Sequence, residues 1–169
     1  MISLQQLNAL DQAEFTRLLG GIYEHSPWVA SRTWPQRPFA SLAHLQAAMA
    51  GVLDAASADE RLGVIRAHPE LSGKAAVRSD LTADSRSEQK GAGLDQCSPE
   101  EFVQLQEGNR AYGEKFGFPF IIAVKGLGRQ DIIAALQRRC ANGLDAEIAE
   151  AVTQIQRIAG FRLGEKIGG

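Results

Sequence analysis

Apolar residues in this chain recur at steps of three and four almost from end to end, a period that fits a helix and little else. Phe102, Leu105, Asn109, Tyr112 and Phe116 follow Ser98-Pro99-Glu100-Glu101, a helix start with proline at its first position and a glutamate able to reach back to the cap. Ile148, Val152, Ile155 and Ala159 keep the same spacing behind Asp145, and Ile132, Ile133, Leu136 and Cys140 keep it between Gly126-Leu127-Gly128 and Ala141-Asn142-Gly143. Nearer the N-terminus it runs through Phe15, Leu18, Leu19 and Ile22 behind Asp11 and Glu14, and through Leu42, Leu45, Met49, Val52 and Leu53 behind Ser41. Ser57 and Glu60 form a further capping box, and Leu62 and Ile65 carry that helix to His68, where Pro69 disfavours helical geometry at the residue before it. A short helix is expected from Ser26-Pro27, with irregular chain around Trp28, Trp34, Pro35 and Pro38. The architecture expected is all-α, a single-domain bundle of about seven to nine helices over residues 1–169.

One stretch breaks the period. After Gly117-Phe118-Pro119, the run Phe120-Ile121-Ile122-Ala123-Val124 has the composition of a buried strand, and no second strand is visible to pair with it. An extended buried segment is therefore expected near 118–125, its amides and carbonyls needing partners from side chains, water or a ligand. Residues 72–85 are small and polar and read as a loop.

Composition narrows the classes of function. Twenty acidic residues against eighteen basic ones give a net charge of −2, with the signs interspersed and no basic stripe, which argues against nucleic acid. No apolar run approaches the ~20 residues of a membrane span, and the first residues lack a basic segment before an apolar core, so a cytoplasmic protein is expected. Cys97 and Cys140 have neither metal-ligand spacing nor a partner motif, so neither a metal nor a disulfide is expected.

The polar residues collect in one region. His68 sits at a helix exit, and Ser85, Glu88 and Gln89 follow within about twenty residues, in a chain with three histidines. Arg162 falls one further step along the stripe of the last helix, where a guanidinium must either snorkel outward or meet an anion inside. Each has a structural explanation as well: a solvated terminal histidine, a Ser85-x-x-Glu88 capping box, a snorkelling arginine. Together with an unpaired backbone segment they describe a small pocket for a planar, anionic, hydrogen-bond-rich substrate. A non-catalytic helical module that binds a small anion or a partner helix fits the same residues.

In order along the chain stand Glu24-His25-Ser26-Pro27-Trp28, His68-Pro69-Glu70-Leu71, Ser85-x-x-Glu88-Gln89, Gly91-x-Gly93-Leu94, Lys115-Phe116-Gly117-Phe118-Pro119-Phe120-Ile121 and Arg162-Leu163. This series resembles the 2-oxo-4-hydroxy-4-carboxy-5-ureidoimidazoline (OHCU) decarboxylases of urate catabolism over nearly the whole chain. One departure is Glu70, where that family often has aspartate. The resemblance implies an all-α fold without metal or organic cofactor, and conversion of OHCU to (S)-allantoin with loss of carbon dioxide. It implies His68 as acid/base, assisted by Glu88. Pro69, Ser85, Arg86, Ser87, Glu88, Gln89, Phe120, Ile121, Ile122, Ala123, Val124 and Arg162 are then the substrate-binding residues. It also inclines toward a homodimer, which apolar residues on the early helices could serve, and toward a stand-alone cytosolic enzyme.

Overall fold

The computed structural model describes residues 1–71 and 81–168. Nine α-helices are present among the described residues: α1 Leu4–Ala9, α2 Gln12–Leu19, α3 Pro27–Thr33, α4 Leu42–Asp54, α5 Ala58–Ala67, α6 Ala83–Gly91, α7 Pro99–Phe116, α8 Arg129–Arg139 and α9 Leu144–Lys166. Two short 3-10 turns, Trp34–Gln36 and Leu94–Gln96, join them. The strands β1 Ile2–Ser3 and β2 Ile167–Gly168 pair in parallel, Ile2 opposite Ile167. The fold is all-α, as the apolar period requires. It divides into two compact units, Met1–Ala67 with the chain from Ile155 onward, and His68–Gln154.

In the first unit, α2 packs on α3 and α3 on α4. Its core holds Phe15, Leu19, Tyr23, Phe39, Leu45, Met49, Leu53 and Ile65, with the Phe15 and Phe39 rings stacked at 6.0 Å. The caps explain the starts. Asp11 accepts from the Glu14 amide and Ser41 from the His44 amide, and Ser57 and Glu60 exchange bonds as a capping box. Helix α1 is too short to show an apolar period, and its mark in the sequence is the capping box that Ser3 and Gln6 form ahead of it. The expectation of irregular chain around Trp28 is corrected, because helix α3 runs through Trp28 to Thr33 and Trp34 and Pro35 continue in a 3-10 turn. Proline at the first or second position of each explains this, since a missing N–H costs nothing where no intrahelical acceptor exists.

In the second unit, α7 packs on α8. A β-carbon on Gly108 would lie 2.4 Å from Leu136 Cδ2, so a larger residue there requires the Leu136 side chain or the crossing to shift. Ser98 and Glu101 form the expected capping box. The stripe of α7 is shifted by one residue at its start, however: Phe102 is exposed, and the buried face is Glu101, Leu105, Asn109, Tyr112 and Phe116. Glu101 is drawn in because the Arg129 guanidinium and the Gln130 amide both donate to its carboxylate. Gly117, at φ +77°, ends the helix in the left-handed conformation that favours glycine. Phe118 and Phe120 then turn back against Tyr112, with ring centroids at 5.9 and 5.5 Å.

The segment that follows is non-helical and largely buried, as expected, and takes part in no strand. Side chains supply partners at two positions, and the Val124 carbonyl accepts from the Leu127 amide. The Ile121 carbonyl accepts from the Arg139 guanidinium, and the Ala123 amide donates to Gln154 Oε1 at 2.9 Å. Large apolar side chains exposed among the described residues are Met1, Phe102, Val103 and Leu144, so helices α1 to α5 offer no such side chain for a dimer contact. Among the described residues no helix is long and apolar enough to cross a membrane.

Candidate active site

His68 leaves helix α5 at its C-terminal end and is 7% exposed. Two side-chain amides hold the chain beyond it. Asn109 Nδ2, on α7, donates to the Leu71 carbonyl at 2.8 Å, and Gln89 Nε2, on α6, makes a long 3.5 Å contact with the Glu70 carbonyl. The His68-Pro69-Glu70-Leu71 turn is thus tied to helices α6 and α7. Asn109, which holds the chain after His68, is absent from the candidate site residues that the sequence singles out. Its signal was a polar side chain standing in the buried stripe of α7.

Helix α6 changes the meaning of Ser85. The capping residue is Thr82, whose hydroxyl accepts from the Ser85 amide at 3.2 Å, and the helix begins at Ala83. Ser85 is therefore inside the first turn, and the Ser85-x-x-Glu88 pair does not serve as the capping box that the sequence also allowed. The same observation shortens the expected loop at 72–85: Ala83 to Ser85 are helical, and residues 72–80 lie outside the described residues. Helical spacing puts Ser85, Glu88 and Gln89 on one side, with Ser85 and Gln89 buried and Glu88 half-buried, while Arg86 and Ser87 are exposed. A cleft of about 670 Å³ beside this helix is lined by Arg86, Gln89, Lys90, Leu94 and Phe102. Of the candidate residues it collects Arg86 and Gln89 alone.

The 120–124 segment stands on a buried polar cluster. Glu147, fully buried, accepts from Arg139 Nε and Nη2, from the Tyr112 hydroxyl and from Asn142 Nδ2. Burial alone would raise its pKa, but the hydrogen bonds from Arg139, Tyr112 and Asn142 outweigh it and hold the carboxyl below the usual glutamate range. Burial first, and then the Glu147 carboxylate, push the Tyr112 phenol above its ordinary range. The Phe120 ring lies under the Arg139 guanidinium at 4.6 Å. Of the proposed binding residues here, Phe120, Ile121, Ala123 and Val124 are buried and Ile122 is half-buried.

Arg162 lies in the first unit, on α9, and is 2% exposed. It does not snorkel. Nη1 meets Glu24 Oε2 at 2.7 Å, with the carbonyls of Gly21 and Ile22 at 3.4 Å. The turn that delivers Glu24 contains His25 in the left-handed region, at φ +51°, a conformation uncommon outside glycine. Ser26 Oγ donates to the Glu24 carbonyl and steadies that turn. Among the described residues no group of three or more His, Cys, Asp or Glu side chains is placed to hold a metal ion.

Against known proteins, this all-helical fold is similar to a solved structure titled (S)-allantoin synthase, with a TM-score of 0.80 and 29% sequence identity over 99% of this chain and 54% of the other. A family model described as OHCU decarboxylase matches residues 8–164. The chain belongs to the OHCU decarboxylase family. It is 40% identical to the 2-oxo-4-hydroxy-4-carboxy-5-ureidoimidazoline decarboxylase of Haloferax volcanii, over 98% of this chain and 96% of that protein. It is also 40% identical to a uric acid degradation bifunctional protein of Bacillus subtilis, where it covers 33% of the relative's length.

Proposed function

We propose that this protein decarboxylates OHCU to (S)-allantoin in urate degradation, and that residues 1–169 act as one decarboxylase domain. The observation that carries the reading is a family match running unbroken over residues 8–164, joined to a relative of that name aligned over 96% of its length. The carboxylate lost as carbon dioxide sits on a ring carbon beside a C=N bond, so the substrate provides its own electron sink and the reaction needs no cofactor. The protein then has to position, stabilise charge and deliver one proton to one face.

In this reading His68 moves the proton at the reacting hydroxyl or carbon, and Glu88 orients the histidine or the 4-hydroxyl. Ser85 and Gln89, buried on the same side of α6, bond the ureido and ring amide groups; Pro69 and the 120–124 backbone contact the rest of the ring. Arg86 and Ser87, both exposed on α6, belong in this reading to the substrate-binding residues and not to the catalytic pair. The pairing of Arg162 with a substrate oxygen rests on the family resemblance. Its described bond to Glu24 fixes the guanidinium before any substrate arrives. The cytoplasmic location and a homodimer are part of the same proposal, tested by fractionation and light scattering.

The deciding experiment is circular dichroism of the product when the protein is added to OHCU generated in situ from urate. Optically active (S)-allantoin should appear quickly, and His68→Asn should slow it by about 10²–10⁴-fold. Racemic product forming no faster than without protein overturns the proposal and leaves a non-catalytic helical binding module.

A further inference from the structure

The cluster of Tyr112, Arg139 and Glu147 is an expensive object to keep inside a protein. Arg139 and Glu147 are 4% and 0% exposed, and a fully buried ion pair seldom stabilises a fold more than apolar residues of the same volume. What such a pair provides is direction. A carboxylate offers about four acceptor positions, and the described donors to Glu147 are Arg139 Nε and Nη2, the Tyr112 hydroxyl and Asn142 Nδ2. Because the guanidinium is planar and rigid, fixing Nε and Nη2 on one carboxylate also fixes where Nη1 points. Nη1 bonds to the carbonyl of Ile121, and the Phe120 ring closes one face of the guanidinium. Two residues further on, the Ala123 amide donates to Gln154 Oε1, and Gln154 is itself held by Glu150 at 2.7 Å. The backbone of Ile122 is thus suspended between two anchors, one from α8 and one from α9.

We propose that Arg139, oriented by Glu147 and Tyr112, is a positioning residue for the substrate: it sets the placement of the 120–124 backbone through the Ile121 carbonyl. The inference rests on the reading that this backbone lines the decarboxylase site and deepens it by naming what holds the edge in place. None of the three side chains is required to touch substrate. A backbone edge held in register binds the ground state and the transition state alike, so loosening it raises KM and spares kcat.

The test is steady-state decarboxylation of OHCU by wild type, Tyr112→Phe, Arg139→Lys and the double variant Arg139→Met/Glu147→Leu, each with its thermal unfolding midpoint. The double variant removes both charges together, so no buried charge is left uncompensated, and its unfolding midpoint reads whether the fold is retained. We expect KM to rise by about tenfold or more in the double variant, with kcat within roughly threefold of wild type. Arg139→Lys, which keeps one donor and loses the planar fork, should fall between wild type and the double variant. A folded double variant with wild-type KM, or one that loses kcat at unchanged KM, overturns the positioning role while leaving the decarboxylase standing. An inactive wild type overturns the decarboxylase reading and the positioning role with it.

Discussion

Two arginine–glutamate pairs are buried among the described residues, and they differ in how far apart the partners stand in the chain. Arg139 and Glu147 are eight residues apart, across the turn from α8 to α9, whereas Arg162 and Glu24 are 138 residues apart. The short-range pair holds a backbone segment, through the Ile121 carbonyl. The long-range pair ties the late part of α9 to a strained turn near the start of the chain. Each pair should therefore be felt in a different place: the short one in the geometry of a local edge, the long one in whether distant parts of one unit stay joined. Loop closure over the longer separation costs more entropy, so its partners have more to offset.

The largest effect should come from breaking the long-range pair. Arg162→Met leaves Glu24 buried beside an apolar side chain and should cost about 3–5 kcal/mol in urea unfolding. Adding Glu24→Leu should recover most of that loss, because a buried pair replaced as a whole by apolar residues is often neutral. Failure of the second substitution to recover stability would mean that Gly21, Ile22 and the His25 turn depend on the guanidinium itself. Next comes the short-range cluster. Tyr112→Phe removes one donor to a carboxylate that keeps its bonds from Arg139 and Asn142, and about 1.5–3 kcal/mol should be lost. A loss as large as that of Arg162→Met would erase the distinction between the two clusters.

Smaller still is the bond of shortest range, the cap of α6. Thr82→Ala should cost about 0.5–2 kcal/mol, read from thermal unfolding, with decarboxylation little changed in protein that remains folded. Ser85→Ala should reverse that pattern, losing activity with less stability, because Ser85 is buried in the first turn and does not cap it. The last effect is read on acidification. Glu147 is held below the ordinary glutamate range, so its contribution is complete above the unfolded value of about 4.3 and is lost as pH falls through the folded value. Urea midpoints measured from pH 7 downward should therefore fall more steeply for wild type than for Arg139→Met/Glu147→Leu. Parallel curves would remove Glu147 from the acid response.

Much of the fold is legible in the order of residues alone, and the limits follow particular side chains. Ser3, Asp11, Ser41, Ser57 and Ser98 cap helices from three residues away, so reading them needs only local chemistry. The rule that singles out Arg162, a charge in register with an apolar stripe, applies equally to Arg139 behind Ile132 and Leu136 and to Glu147 ahead of Ala151 and Ile155. Used throughout, it finds the cluster beneath the 120–124 segment. Ser85 misleads because Thr82 and Ser85 are both competent caps at neighbouring turns, and spacing cannot choose between two hydroxyls of the same kind. Phe102 misleads because apolar character stands in for burial, while Glu101 takes the inner position once Arg129 and Gln130 satisfy it.

Residue order alone sets the helical character of the chain, where most helices begin and end, the absence of helix or paired strand over residues 118–125, and the family that the chain resembles. These depend on periods and caps that act within about four residues. Long-range packing is what brings Glu24 to Arg162, gives Ile121 and Ala123 their partners in Arg139 and Gln154, and sets Asn109 against the turn after His68. A buried polar group must find its partner among whatever side chains folding desolvates beside it, and that choice is made across the whole chain.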